Sequence, residues 1–183
     1  VADGVDQNCD SSELCYLDGD SDGFGSDSGD VIDSLDLDCG DPSESEVSTD
    51  CDDDADTTYP GAIEVVADLV DQDCNRGEIC YSDADIDGWG GSTTVASLDL
   101  DCWDTRESDW TGDCDDLSQA IFPGAAWAES DTECRQDEDG DGFGSKVVTG
   151  TAMPGNDCDD DVGYAFPGAA YNESETECRE DAD

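Results

Sequence analysis

Residues 15–25 are Cys-Tyr-Leu-Asp-Gly-Asp-Ser-Asp-Gly-Phe-Gly, and the pattern of this stretch returns at 80–90 and at 134–144. Each copy has Asp at the first, third and fifth positions of a loop that starts three residues after Cys, and Gly at the sixth. A further copy begins at 178–183. Recurrence over such intervals is typical of tandem-repeat proteins.

A second motif, Asp-Cys-Asp-Asp, recurs between the Asp loops. It stands at 50–53, 113–116 and 157–160, and a Pro-Gly-Ala turn begins nine residues after each Cys. Two longer stretches also repeat, since 1–9 matches 66–74 and 35–39 matches 98–102. We therefore divide the chain into repeat 1 at 1–65, repeat 2 at 66–127, a short repeat 3 at 128–171 and the start of repeat 4 at 172–183.

The charge of the chain is extreme. It carries 53 Asp and Glu against 5 Lys and Arg, with no His, for a formal net charge of -48. Such a chain repels itself when compact, so it is either disordered or neutralised by cations. The 11 Cys and 4 Trp favour the folded alternative. Like-charge repulsion excludes nucleic acid as a partner, and no apolar run is long enough for membrane insertion.

The expected fold is mostly irregular and elongated, made of tandem repeats that calcium and disulfides stabilise. Units this small bury little apolar surface by themselves. We expect short β-strands at 93–98 and 146–149, where β-branched residues cluster, and occasional helical turns such as one at 53–59.

The Asp loops have the first half of an EF-hand calcium loop. Calcium prefers six to eight oxygen ligands, and alternate residues of a tight turn direct their carboxylates at one centre. Gly at the sixth position permits the bend, and the seventh residue offers its backbone carbonyl. The predicted ligands are Asp18, Asp20, Asp22 and Phe24 in the first loop, Asp83, Asp85, Asp87 and Trp89 in the second, and Asp137, Asp139, Asp141 and Phe143 in the third.

The loops are not EF-hands, because Gly29, Thr94 and Val148 stand where an EF-hand has its bidentate Glu. The remaining ligands must come from elsewhere in each repeat, and the Asp-Cys-Asp-Asp motif accompanies every full loop. The predicted additional ligands are Asp53, Asp116 and Asp160, followed by Asp50, Asp113 and Asp157.

A second loop type also alternates oxygen-bearing side chains. Its predicted ligands are Asp6, Asn8 and Asp10 in repeat 1 and Asp71, Asp73 and Asn75 in repeat 2, with Glu13 and Glu78 nearby. Repeat 3 keeps only Asp131 and Glu133 at the related place. A single acidic run is usually a solvated face, but three matched Asp loops are better explained by bound ions.

Calcium is the expected ion, with several per chain. Magnesium retains its water, whereas copper and iron prefer His, thiolate or Met ligands. Zinc is disfavoured because no C-x-x-C spacing and no His occur.

The cysteines indicate disulfides formed outside the cytosol. Pairing inside each repeat leaves two schemes open. One joins Cys neighbours such as Cys9 with Cys15 and Cys39 with Cys51. The other nests Cys15 with Cys51 and Cys80 with Cys114. Both leave Cys178 free or in an intermolecular bond.

These motifs resemble a metal-binding repeat family of bacterial surface and secreted proteins. The resemblance rests on Asp-Cys-Asp-Asp with Pro-Gly-Ala, on Asp-Gly-Val-Asp-Gln-Asn-Cys-Asp at 3–10, and on the Asp loops. The loops also look like those of thrombospondin type 3 repeats. The resemblance implies an extracellular, multi-copy array that binds calcium, although some members of the family are copper binders.

The expected function is structural and not enzymatic, since no defined catalytic constellation exists. The chain begins and ends inside a repeat, which suggests head-to-tail self-association into a fibre or stalk at the cell surface. The alternative is a carbohydrate-binding adhesin or spacer segment using Trp103, Trp110 and Trp127. Asn172 lies in an N-glycosylation sequon.

Overall fold

The computed structural model describes residues 1–7, 9–148 and 150–169. These ranges contain short strands and no helix, so none of the described residues forms a helix that could cross a membrane. The strands are β1 Leu14–Leu17, β2 Gly25–Ser26, β3 Val31–Asp33, β4 Glu44–Ser45, β5 Ser48–Asp50, β6 Ile79–Ser82, β7 Thr94–Ala96, β8 Glu107–Ser108, β9 Ile121–Pro123 and β10 Cys134–Gln136. The predicted irregular, disulfide-stabilised fold with short strands is confirmed.

The chain divides into two units, and the first consists of Val1–Glu78 with Leu98–Leu100. Its three-stranded antiparallel sheet has the order β3-β1-β4, with Cys15 opposite Ile32. β2 pairs in parallel with β5, so that Gly25 lies opposite Ser48. The first Asp loop leaves the end of β1, and β5 ends at Asp50, so the sheet pairing brings the two motifs together.

The second unit consists of Ile79–Ser97 with the described residues from Asp101 onward. It repeats the sheet as β7-β6-β8, with Cys80 opposite Val95. A parallel bridge between Gly90 and Thr111 replaces the β2–β5 pair. β9 and β10 form an antiparallel pair that leads into the third Asp loop.

Two local predictions need correction. The strand predicted at 93–98 is confirmed as β7, but residues 146–148 form bends and a loop, and Thr149 lies outside the described residues. Residues 53–59 form successive turns instead of a helical turn, closed by hydrogen bonds from Ala55 N to Asp52 O and from Thr58 N to Ala55 O. Pro60 lacks the N–H that would continue a helix and disfavours helical geometry before it.

Both predicted schemes of disulfide pairing are wrong. From Cys15 to Cys134, the cysteines pair in order along the chain, with sequence separations of 20 to 24. The bonds are Cys15–Cys39, Cys51–Cys74, Cys80–Cys102 and Cys114–Cys134. Two of them cross the boundaries that we drew between repeats, after residues 65 and 127. Cys9 is free and exposed, Cys158 is disulfide-bonded, and Cys178 lies outside the described residues.

The pairing follows from backbone hydrogen bonds that fold each loop onto itself. Tyr59 N donates to Gln72 O, and Gly61 N donates to Asp73 O, which returns the chain to Cys51 after the Pro-Gly turn. The Cα atoms of Cys51 and Cys74 are consequently 5.7 Å apart, within the range of a disulfide.

The interior is small and unusually acidic. The buried hydrophobic residues are cystine halves, alanines and Ile121, whereas Glu78, Asp50 and Asp157 are the largest side chains that are almost fully buried, each 1% exposed. Buried carboxylates are costly unless a positive partner compensates them. Apolar packing is therefore limited, and disulfides make up a large part of the buried interior.

Candidate metal centres

The first Asp loop is shaped by carboxylates that bind its own backbone. Asp18 accepts hydrogen bonds from Ser21 N at 2.6 Å and from Gly23 N at 3.0 Å. Asp20 Oδ1 accepts from Asp22 N, and Asp22 Oδ1 accepts from Phe24 N. Gly23 has a φ of 101°, a conformation that side chains disfavour, which explains why Gly occupies the sixth position.

The second and third loops reproduce this arrangement. Asp83 accepts from Gly88 N at 2.9 Å, as Asp137 does from Gly142 N. The third-position and fifth-position Asp of each loop also accept from the backbone N–H two residues further on. The predicted ligands Asp85, Asp87, Asp139 and Asp141 therefore hold the same places as their counterparts in the first loop.

One oxygen of each third-position and fifth-position carboxylate is left without a partner. The Oδ2 atoms are buried and accept no hydrogen bond in Asp20, Asp22, Asp85, Asp87, Asp139 and Asp141. In each loop the three Asp offer carboxylate oxygens within 4.8 Å of one another. Oxygens that share one calcium at 2.3 to 2.6 Å can be at most about 5 Å apart, so this spacing suits a single ion.

The first Asp of each Asp-Cys-Asp-Asp motif lies near the carboxylates of an Asp loop, since their charges interact. Asp50 Oδ1 accepts from Asp52 N at 3.0 Å, while its Oδ2 is buried and unpartnered. The Oδ2 atoms of Asp113 and Asp157 are likewise buried and accept no hydrogen bond. Our ranking placed Asp53, Asp116 and Asp160 first, but the unpartnered buried oxygens belong to the Asp that precedes Cys.

The last Asp of each Asp-Cys-Asp-Asp motif contacts the Asp loop directly. These residues are Asp53, Asp116 and Asp160. Each accepts a hydrogen bond from the backbone N–H of the second residue of the Asp loop: Gly19, Ala84 and Glu138, at 2.9, 2.8 and 3.0 Å. They attach the Asp-Cys-Asp-Asp motif to the loop. Their further role as ligands stays a prediction.

The electrostatics of the three centres are unfavourable without a cation. Burial raises the pKa of Asp50, Asp141 and Asp160 to about 6 and that of Asp87 to about 7, and neighbouring carboxylates add to the effect. Burial also raises the pKa of a further set of carboxylates: Asp20, Asp22, Asp85, Asp113, Asp137 and Asp157. A bound cation would offset both the cost of burying these negative charges and the repulsion between them.

Aromatic pairs lie beside the loops. Phe24 stacks on Tyr59 with ring centroids 5.4 Å apart, and Phe143 stacks on Phe166 at 5.2 Å. Trp89 contacts Trp110 at 5.9 Å instead. These contacts fix the seventh residue of each loop, while the proposed ligation by the carbonyl oxygens of Phe24, Trp89 and Phe143 stays a prediction.

The second loop type forms a separate cluster. Glu64, Asp71 and Asp73 offer carboxylate oxygens within 4.8 Å of one another. Asp71 accepts from Asn75 N and Arg76 N, and Glu64 Oε1 accepts from Asp73 N at 2.8 Å. Glu64 Oε2 is buried and unpartnered, and burial raises the pKa of this residue, with Asp73 and Glu78 adding to the shift.

The copy of this loop in repeat 1 shares part of the arrangement. Asp6 accepts from Asp10 N and Ser11 N, as Asp71 does from its own neighbours. Glu13 is buried and its Oε2 is unpartnered. Asn75 Oδ1 and Asp10 Oδ1 each accept a hydrogen bond from the backbone N–H two residues further on. Their role as ligands stays a prediction. Asn8 and the sequon residue Asn172 lie outside the described residues.

Three acidic residues of these regions are missing from the predicted set of ligands. Glu64 joins the second loop type from ten residues before Cys74. Glu44 and Glu107 each have a buried Oε2 without a partner, and the Ser that follows donates to the carbonyl of the loop's sixth-position Gly. The shared pattern Asp-x-x-Glu-Ser, at 41–45 and 104–108, could have identified them.

The comparisons with known proteins gave one match. The family model described as "Putative metal-binding motif", named Cu-binding MopE, matches residues 1–13, 50–79, 113–129 and 156–170. No curated protein and no solved structure matches the chain. The matched segments contain the Asp-Cys-Asp-Asp motifs and the second loop type, so the chain carries repeated copies of a metal-binding motif.

Proposed function

We propose that this protein is an extracellular calcium-binding structural protein whose repeats build the subunit or a segment of a surface fibre or stalk. The observation that carries the calcium proposal is the recurrence of buried, unpartnered carboxylate oxygens at matched positions of three Asp loops. Each loop uses one oxygen of a carboxylate to hold the backbone and leaves the other for an ion.

The donor set favours calcium over the copper in the name of the matching family. Copper in proteins prefers imidazole, thiolate or thioether ligands. The chain has no His and one Met, and the nine cysteines known to be bonded cannot act as thiolates. Clusters of carboxylates alone suit a hard cation that takes several oxygens, and these residues do not fit copper.

Bound calcium would act on folding and not on a reaction. Each candidate centre consists of three Asp of one loop and one further carboxylate. An ion bound among them offsets their mutual repulsion and the cost of their burial. Binding to the folded state alone adds stability by mass action, about 1.4 kcal/mol for each site at ten times its dissociation constant. The chain's own residues therefore set the shape, and the ions make that shape stable.

The structural role is supported by how successive motifs are joined. Disulfides alternate along residues 15–134: Cys15–Cys39 and Cys80–Cys102 close the first two Asp loops, and Cys51–Cys74 and Cys114–Cys134 close the first two Pro-Gly turns. Such alternation suits a covalently closed array more than a pocket for a substrate. Disulfides are also typical of extracellular proteins.

Two measurements test the proposal. Isothermal titration should find several calcium ions per chain, and chelation should lower the melting temperature by roughly 10 to 20 °C. Absence of calcium binding would contradict it. For the fibre, electron microscopy in millimolar calcium should find filaments that dissolve in chelator, whereas discrete monomers would restrict the proposal to calcium binding.

A carbohydrate-binding role is the second candidate. Trp103, Trp110 and Trp127 are 74%, 60% and 67% exposed, and exposed aromatic rings can stack on sugars. A glycan array probed with the native protein and with the three Trp changed to Ala would test it. Binding that the substitutions leave intact would exclude these residues.

A further inference from the structure

The loop that Cys114 and Cys134 close is a structural copy of the loop between Cys51 and Cys74. In both, the N–H of the Pro-Gly glycine donates to the residue just before the second Cys: Gly61 N to Asp73 O at 3.3 Å, and Gly124 N to Glu133 O at 3.2 Å. Glu133 therefore occupies the position of Asp73, one of the candidate ligands of the second loop type.

The two copies differ at the residue after that Cys. Asn75 follows Cys74, whereas Arg135 follows Cys134. The guanidinium of Arg135 contacts Glu133 Oε2 at 2.6 Å through Nη2 and Glu129 Oε2 at 3.6 Å through Nη1. Nη1 also donates to the carbonyl of Pro154. A positive group thus lies among the acidic side chains of this copy.

Of the two acidic partners of Arg135, Glu129 is shielded from water, whereas the side chain of Glu133 is 42% exposed. The side chain of Arg135 is 17% exposed and that of Glu129 is 6% exposed. Glu129 also accepts hydrogen bonds from Gly144 N and from the Asn156 amide. Glu64 in the other copy keeps a buried oxygen without a partner, whereas both oxygens of Glu129 accept hydrogen bonds. The single positive charge of Arg135 therefore offsets part of the negative charge of the two glutamates here.

We infer that Arg135 takes the place of a metal ion in this copy of the second loop type, so that the Cys114–Cys134 loop is closed by a cation of the protein itself. The inference rests on the proposed function in one respect, that the copy containing Glu64, Asp71 and Asp73 holds an ion. It divides the Pro-Gly loops into a calcium-dependent class and an arginine-closed class.

The sequence contains the same pattern once more. Residues 129–135 are Glu-Ser-Asp-Thr-Glu-Cys-Arg, and residues 173–179 are Glu-Ser-Glu-Thr-Glu-Cys-Arg. Two of the 5 basic residues of the chain therefore stand directly after a Cys that a Glu precedes. In so acidic a chain, this repetition indicates a specific use of arginine.

A reciprocal exchange tests the inference. Arg135→Asn introduces the residue of the other copy, and Arg106→Asn is the matched control, because it removes an exposed arginine outside the Pro-Gly loops. Calcium stoichiometry is measured on the disulfide-bonded full chain by competition with a chromophoric chelator. We expect Arg135→Asn to bind one ion more per chain than the native protein, and Arg106→Asn to bind the same number.

The second arm converts the calcium-dependent copy. Asn75→Arg should bind one ion fewer, and in chelator it should melt at a higher temperature than Asn75→Ser, which lacks the built-in cation. An unchanged stoichiometry in Arg135→Asn, or equal melting of Asn75→Arg and Asn75→Ser in chelator, would overturn the inference. Failure of the proposed function is distinct, since the native protein would then bind no calcium.

Discussion

The carboxylate of Asp53 accepts a hydrogen bond from the backbone N–H of Gly19 at 2.9 Å, although 34 residues separate them. Asp116 and Ala84 repeat the contact over 32 residues, and Asp160 and Glu138 over 22. This contact joins the Asp-Cys-Asp-Asp motif to the Asp loop in every copy. It places the preceding Asp, such as Asp50, beside the carboxylates of the loop.

Asp50→Asn should weaken the binding of one calcium ion. The substitution keeps the size of the side chain but takes away a negative ligand whose Oδ2 is buried and unpartnered. We expect the affinity of that site to fall by roughly 10- to 100-fold, as for other changes around metal sites. Calcium titration checks this, with Asp54→Asn as the exposed control; equal affinities in the two variants would exclude Asp50 as a ligand.

Glu64→Gln should abolish the ion of the second loop type and leave the three Asp loops unaffected. Glu64 brings the unpartnered oxygen of that cluster, and Glu46→Gln provides a control at an exposed acidic residue. The measurement is the number of ions bound per chain by competition with a chelator. A full complement of ions in Glu64→Gln would place no ion at this loop.

The response of stability to pH should reverse when calcium is added. The pKa of Asp50, Asp141 and Asp160 is raised to about 6 and that of Asp87 to about 7 in the metal-free fold, whereas an unfolded Asp titrates near 4. The folded state binds more protons between pH 4 and 7, so this contribution to stability is present below pH 4 and is lost as pH rises through 6 to 7.

Thermal melts at pH 5 and pH 8 check that sign. In chelator, the protein should melt at a higher temperature at pH 5. In saturating calcium, it should melt at a higher temperature at pH 8, because protons compete with the ion for the same oxygens. The same order of melting temperatures in both conditions would show that these carboxylates do not hold the ion.

Loss of the Cys51–Cys74 bond should destabilise the fold even in saturating calcium. The bond closes a loop with a sequence separation of 23, for which the chain-entropy estimate is about 3 kcal/mol. The double variant Cys51→Ser with Cys74→Ser is compared with Cys9→Ser, which changes a free and exposed cysteine. Chemical unfolding measures the difference, and equal stabilities would contradict the assigned pairing.

The sequence predicted the Asp loops because the hydrogen bonds that shape them join residues close together along the chain. The positions of Asp18, Asp20, Asp22 and Gly23 follow from the spacing of one loop, because their hydrogen bonds reach only two to five residues along the chain. The choice of disulfide partners could not be predicted in the same way. It depends on hydrogen bonds such as Gly61 N to Asp73 O, which only the folded loop brings together.

The sequence by itself determined that this chain consists of repeats, that its Asp loops place carboxylates around common points, and that it carries an extreme negative charge, because these properties reside in local spacing and composition. Only the tertiary structure decided which distant residues complete each centre and whether a loop contains its own positive charge. Folding places Asp50, Glu64 and Arg135 beside particular carboxylates, and separation along the chain does not reveal that proximity.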